Sequence, residues 1–286
     1  MLGTTCVTWD EITTKMELMP EPPKASMLAI QMLDDVNCSL GKVAEFLNMD
    51  ECLTAKLLKL SNSALFGCSG KVTTVKEALT RLGAKAVRSS LWSYSLEKAG
   101  FRQTPFFIEL WKSSLFTALL ARDITDRIHG KLDVGFTGGL LCDIGQLVMH
   151  EVRPEEYQQI IAQVSQSNSD IVEAEREAFG YTHMQVGQKM AGIWKLPVVY
   201  QNIIQHHHEP LKCRREVLAD DYKLIVAIHI ANNLSPLYGN QSGKYIQEEA
   251  LSVLGNSSER WLMILKPKFE NYYEQIEKIT QVMFSD

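Results

Sequence analysis

The chain has 286 residues, 45% hydrophobic and 22% charged, with a formal net charge of −5. This suits one large or two small globular domains with a sizeable core. The mild acidity excludes attraction of nucleic acid or anionic lipid through the overall field and leaves such a role only to a local basic patch.

Residues 1–12 read as a loose lead-in. The first twenty residues carry Asp10, Glu11, Lys15 and Glu17 and lack the apolar core of a signal peptide. No later run of about 20 apolar residues offers a membrane span. The six cysteines include no C-x-x-C pair, which predicts reduced thiols in a cytoplasmic protein. Pro20, Pro22 and Pro23 punctuate the chain before a helix over 24–35. Ser39 is the predicted N-cap of a helix over 40–48, and Leu53, Leu57, Leu58 and Leu60 recur at helical spacing in the next. That helix ends in Ser61-Asn62-Ser63-Ala64-Leu65-Phe66-Gly67. Thr74 and Glu77 form a predicted capping box for a helix to Gly83, and another runs from Ala84 to about Leu96.

Residues 100–105, ending in Thr104-Pro105, are the predicted subdomain boundary. A long amphipathic helix through Phe107, Leu110, Trp111, Leu115 and Leu119 follows, broken by Gly130. Pro154 opens a helix over 155–166, Gln163 to Ser169 reads as a polar loop, and helices follow over 170–178, 184–194, 198–207 and 223–234. Residues 244–254 and 258–283 read as two more, with Gly239 to Gly243 polar ahead of them. Trp92, Trp111, Trp194 and Trp261 are candidate core residues. The fold class is all-α: about a dozen helices, no sustained strand and no internal repeat.

One stretch stands out, Gly138-Gly139-Leu140-Leu141-Cys142-Asp143-Ile144-Gly145-Gln146-Leu147-Val148-Met149. Its glycines permit a tight turn or a close approach. Its single acid, Asp143, sits in an apolar helix-like run, where a carboxylate needs a partner. Farther on come Glu175, Phe179-Gly180-Tyr181-Thr182-His183, Val186-Gly187, Trp194-Lys195-Leu196-Pro197 and His206-His207-His208-Glu209-Pro210.

These segments, with the Leu57–Gly67 run, Val72–Leu79 and Arg81-Leu82-Gly83, resemble the HDOD family, a set of bacterial signalling domains related to the HD phosphohydrolases. The resemblance spans about residues 18 to 235. It implies a multi-helix HD-like domain divided into an N-terminal helical subdomain (13–100), a degenerate HD-like core (101–240) and extra C-terminal helices (241–286). HD hydrolases hold metal through histidines and aspartates, because a bound divalent ion activates water and steadies phosphoryl charge.

Placed by that resemblance, the first ligand His falls at Ser113, the paired His at Cys142 and the late Asp at Asn232. Asp143, His183 and the pair His207-His208 are kept, with His206 an alternative register. Three consecutive residues on a helix point about 100° apart, so at most two of these histidines face one site. The expectation is therefore no catalytic residues and a ligand-pocket candidate set of Asp143, His183, His207 and Asn232. No metal or other cofactor is expected. The alternative is iron, manganese or zinc held by some of Cys142, Asp143, His183, His207 and His208. A further alternative makes Asp143 a buried acid satisfied by hydrogen bonds.

The resemblance implies a stand-alone regulatory module that binds a partner protein, such as a kinase or second-messenger enzyme, or a small ligand. The competing readings are a phosphohydrolase of a nucleotide or cyclic dinucleotide, and a vestigial pocket that binds a nucleotide without turnover. Residues 71–102 place seven basic residues against Glu77 and Glu97. This is a solvated surface or a contact for an acidic protein, without the aromatic interleaving of a nucleic-acid site.

Overall fold

The computed structural model describes residues 8–35, 37–63, 66, 71–101, 103–167, 169–235 and 245–284. In chain order the helices are α1 (Trp9–Leu18), α2 (Lys24–Asp34), α3 (Leu40–Leu47), α4 (Glu51–Ser61), α5 (Val75–Lys98), α6 (Pro105–Arg127), α7 (Leu132–Leu141) and α8 (Ile144–Val152). They continue as α9 (Pro154–Ser167), α10 (Ile171–Phe179), α11 (His183–Ile193), α12 (Val198–His206), α13 (Ala219–Leu234), α14 (Ser258–Leu265) and α15 (Phe269–Phe284). No strand occurs among the described residues, so the protein is all-α.

The chain forms two compact units. One combines Pro20–Ile108 with the C-terminal helix from Glu270; the other combines the chain up to Met19 with Glu109–Phe269. The predicted segments 1–12, 13–100, 101–240 and 241–286 thus divide differently. Residues 9–12 are helical rather than a lead-in, because Thr8 and Glu11 form a reciprocal capping box. The division between units falls inside α6, at Ile108 and Glu109, a few residues past the expected boundary at 100–105.

In the first unit, α2, α3 and α4 pack on α5. Their shared core holds Leu47, Leu53, Leu57, Leu79 and Trp92, each 1% exposed or less. Ser39 caps α3 and Thr74 with Glu77 caps α5, as the spacing predicts. Gly83 takes φ 72° and ψ 161°, outside the helical region, so α5 is two helices joined at a kink that a side chain would strain. Asn62 explains part of the Ser61–Gly67 motif. Its amide donates to the Val72 carbonyl and accepts from the Val72 amide, both at 2.8 Å, which clamps the end of α4 to the approach to α5. Ala64, Leu65 and Gly67 lie outside the described residues. Arg88 is buried; it donates to Asp34 at 3.0 Å and to the Leu33 carbonyl, so it does not belong to the solvated basic surface. Arg102 lies outside the described residues.

The second unit is built around α13, whose residues from Leu224 to Leu234 are buried on every face. A helix apolar all round belongs in a core. Here α7 and α12 pack on α13, and α8 packs on α11. The last contact depends on glycine: a Cβ on Gly145 would lie 1.9 Å from the His183 carbonyl oxygen, and one on Gly187 would lie 3.1 Å from the Gly145 backbone nitrogen. Gly138 and Gly139 sit inside α7 rather than in a turn, and serve close approach. A Cβ on Gly139 would meet the Ala118 backbone at 2.8 Å. Trp9 of α1 packs edge-on against Tyr181, ring centroids 5.5 Å apart.

Three other expectations need correction. The polar stretch 163–167 is the last turn and a half of α9, its glutamines and serines facing solvent. Of the helix expected over 244–254, only a short 3-10 turn at Ala250–Leu254 forms. The helix expected over 258–283 is two, because Pro267 lacks the backbone N–H needed to continue α14 and a 3-10 turn over Lys266–Lys268 intervenes. Gly239 to Gly243 lies outside the described residues. Trp92, Trp111, Trp194 and Trp261 are all buried.

Candidate functional site

Asp143 does not lie within a helical run but at the junction of α7 and α8, with φ −95° and ψ 12°. The glycine contact between α8 and α11 brings its carboxylate to His183, the first residue of α11. Helix α12 ends at His206, and His207 and His208 follow. Because the chain leaves the helix there, both turn toward Asp143, while His206 stays outside the group. Asp143, His183, His207 and His208 each offer one donor atom, all within 4.8 Å of one another.

The hydrogen bonds around this group orient it. Glu175, wholly buried, accepts from the Tyr157 hydroxyl at 2.6 Å and from the His183 backbone amide at 2.8 Å, and its carboxylate faces His183 Nδ1 at 2.8 Å. His207 Nδ1 faces the Ile204 carbonyl at 2.9 Å, and a carbonyl can only accept. Both rings therefore use Nδ1–H outward and turn the lone pair of Nε2 inward. A carboxylate or carbonyl behind an imidazole is the usual support of a metal-binding histidine. His208 Nε2 is buried and has no hydrogen-bond partner.

The inward spacing is informative. His183 Nε2 and His207 Nε2 are each 3.5 Å from Asp143 Oδ1, and 3.5 Å from each other. That exceeds the usual hydrogen-bond range of about 2.7–3.2 Å. It matches the roughly 3.4 Å between donors arranged tetrahedrally at bonds of about 2.1 Å. The residues present thus fit one divalent ion, although the ligand replacements had pointed to none.

The replaced positions have other tasks. Asn232 donates to Asp143 Oδ2 at 2.6 Å, and Gln146 donates to Oδ1 at 2.8 Å. Cys142 is buried, and its thiol donates to Asp143 Oδ2 at 3.3 Å. Burial, reinforced by the neighbouring Asp143 charge, pushes the thiol well above its ordinary value. It is absent from the four-donor group. Ser113 is buried and lines a cavity of about 220 Å³ beside Asp143 and His208.

The charges follow from the same geometry. Burial would raise Asp143, but the neighbouring His207, with His183 and His208 behind it, holds it well below the usual carboxylate range. Burial would lower His183, yet the Glu175 carboxylate, then Asp143, raises it. Burial, with His207 and His183 beside it, keeps His208 well below its ordinary value and hence neutral.

Sequence reasoning did not single out Glu175 as a site residue, nor His229. His229 Nδ1 faces the His207 carbonyl at 2.7 Å, and its Nε2 accepts from the Gln247 amide at 2.9 Å. Those two partners define a neutral ring that holds the backbone of His207. The Glu175-x₇-His183 spacing was visible, but only the turn at Gly180, with φ 79°, brings the two together.

Helices without strands and an Asp–His₃ group at a glycine-tight helix contact, among the described residues, define an HD-like fold. A model of the HDOD domain matches residues 19–210, and the chain belongs to the HDOD family. It is similar to an HDOD domain protein of unknown function from Geobacter sulfurreducens, at 21% identity and TM-score 0.72, covering 94% of this chain and 97% of that one. It is also similar to a provisionally assigned phosphohydrolase from Shewanella amazonensis SB2B, at 20% identity and TM-score 0.67, covering 95% and 97%. A curated relative, an uncharacterised protein of Treponema pallidum (strain Nichols), is 22% identical over 269 residues, which are 92% of this chain. The chain spans about half the length of that relative, 51%. No described helix is long and apolar enough to cross a membrane.

Proposed function

We propose that this chain is a regulatory HDOD module whose HD-type centre is a closed, structural metal site rather than a hydrolytic one. The observation that carries this reading is the fourth protein donor. A catalytic zinc-type site keeps three protein ligands and leaves one position for water, whereas a structural site uses four. Here His208 offers a fourth donor within 4.8 Å of those of Asp143, His183 and His207, and its buried Nε2 has no partner.

The ion would be held by Asp143, His183, His207 and His208. When bound, it would supply a fixed positive centre that ties the α7–α8 junction, α11 and the end of α12 together. Glu175 and the Ile204 carbonyl set the ring orientations, and Asn232 and Gln146 hold the carboxylate. Ser113 and Asn232 supply neither an imidazole nor a carboxylate for a second ion. The module then acts by binding: a signalling partner such as a kinase or second-messenger enzyme, or a small molecule, reads the state of the helices that this centre joins.

The test is metal content by mass spectrometry on untagged protein prepared without a metal column, with a phosphodiesterase assay on bis(p-nitrophenyl) phosphate in parallel. The expected result is one divalent ion per chain, lost in His208→Ala, and no turnover. Turnover that disappears in folded Asp143→Ala would make the protein an enzyme and overturn the regulatory reading. A metal-free protein would overturn the closed-site reading.

A further inference from the structure

Glu175 orients His183, and a further contact must orient Glu175. Both residues are wholly buried. A polar group in that setting keeps one place only while its own hydrogen bonds hold it. The two oxygens of Glu175 divide the work. Oε2 accepts from the His183 backbone amide and faces the ring Nδ1, both at 2.8 Å. Oε1 accepts from the Tyr157 hydroxyl at 2.6 Å, within the range of strong charge-assisted bonds. Three helices thus meet at one carboxylate: Tyr157 comes from α9, Glu175 from α10 and His183 from the start of α11.

The hydroxyl is itself held in place. Tyr157 is buried, and its ring stacks on Phe179 with centroids 6.4 Å apart and planes at 26°. Phe179 stacks in turn on Tyr181, at 5.8 Å and 21°. Tyr181 is the ring that Trp9 meets edge-on. All of these residues lie within the second unit. A phenylalanine at 157 would fill the same stack, so packing alone does not call for the oxygen. A buried hydroxyl needs a partner, and this one takes the carboxylate behind His183.

We infer that Tyr157 is a positioning residue of the metal centre: its hydroxyl pins Glu175 Oε1, leaves Oε2 to the His183 ring, and so aims Nε2 at the ion. Without the hydroxyl, Oε1 is a buried acceptor that has lost its donor, and the carboxylate turns to regain one. The His183 ring then loses its support, and one of the four donors loses its aim. The inference deepens the closed-site reading and rests on it for the effect on the ion. The chain of hydrogen bonds stands without metal.

The test uses the full chain with Tyr157→Phe, which removes one oxygen and keeps the stack, alongside Glu175→Gln and the double variant. Circular dichroism checks each fold, and zinc affinity is read by chelator competition. In Tyr157→Phe the affinity is expected to fall about tenfold, the lower end of what an outer-shell partner contributes. Beside Glu175→Gln the same substitution should cost nothing further, because both act through one carboxylate. In metal-free protein, NMR should show the His183 Nδ1–H proton protected from solvent exchange in the parent and exchanging faster in Tyr157→Phe. A purely structural hydroxyl would lower Tm without moving either readout.

A zinc affinity within about twofold of the parent, the scatter of independent sites, overturns the inference. An equal loss in the Glu175→Gln background overturns it too, since the hydroxyl would then act by another route. So does a Nδ1–H proton as protected in the variant as in the parent, or one already unprotected in the parent. That proton is read without metal. A parent that binds no zinc therefore overturns the closed-site reading alone, and proton exchange still decides the role of Tyr157.

Discussion

Removal of the Asp143 carboxylate tests how the core is held. Asp143→Ala removes the carboxylate acceptor of two buried amide donors, Gln146 Nε2 and Asn232 Nδ2, which now bond to it at 2.8 and 2.6 Å. It also leaves the Cys142 thiol with the Gly139 carbonyl, at 3.4 Å, in place of the carboxylate at 3.3 Å. Each unsatisfied buried donor costs about 1–3 kcal/mol, so the two amides together cost roughly 2–6 kcal/mol. Against a typical total of about 5–15 kcal/mol this is a large fraction. At roughly 2–4 °C per kcal/mol for a chain of this class, Tm falls by about 5–20 °C. Thermal unfolding followed by circular dichroism, with chelator in both samples, excludes the contribution of bound metal. Asp143→Asn should fall between, because its one oxygen serves one donor while its own N–H₂ opposes the other. An alanine variant that unfolds within 1–2 °C of the parent, on that same scale, would refute the argument. Asp143 would then not be the acceptor that satisfies this core.

Three further outcomes follow from other contacts. Glu175→Gln keeps the shape and an acceptor for His183 but removes the charge behind it; metal affinity should fall about 10–100-fold, read by chelator competition, with little change in the metal-free Tm. Gly145→Ala should destabilise by about 3 kcal/mol or more, since its Cβ would overlap the His183 carbonyl oxygen. Gly180→Ala, with open space around it and φ 79°, should cost only about 1–2 kcal/mol, and urea unfolding giving the reverse order would be inconsistent with the glycine contact as the organiser of the site. Burial, set against the hydrogen bond to the His207 carbonyl, lowers His229 to about 4 from an ordinary 6.5. The folded state then binds fewer protons than the unfolded one, so this stability is full above pH 6.5 and is lost as the pH falls toward 4, by up to roughly 3 kcal/mol. His229→Asn, whose amide can replace the Nδ1–H donor, should flatten the fall in Tm between pH 7 and 5, and an unchanged slope would count against it. The opposite contribution of His183 is common to both proteins and cancels in the difference.

Most helices were legible in the sequence because their signals are local. Ser39, Thr74 with Glu77, Pro154 and Gly83 act on the residues next to them, and the structure uses each as its chemistry predicts. Local signals failed where two effects competed. The polar residues of 163–167 suggested a loop but are the solvent face of α9, and Pro267 broke an otherwise continuous apolar period. The sequence alone also determined the family and offered Cys142, Asp143, His183, His207, His208 and Asn232 as candidates, since motif residues keep their order and spacing. Only the tertiary structure decided which of these meet. Gly145 against His183 is a contact between segments distant in the chain, and together with the end of α12 at His206 and the turn at Gly180 it converts four scattered residues into donors within 4.8 Å. Chemistry depends on separations of a few ångströms between side chains, and no periodicity along one helix encodes the distance to another. For the same reason Cys142 and Asn232, which read as lost ligands, are in the folded protein the donors that satisfy Asp143.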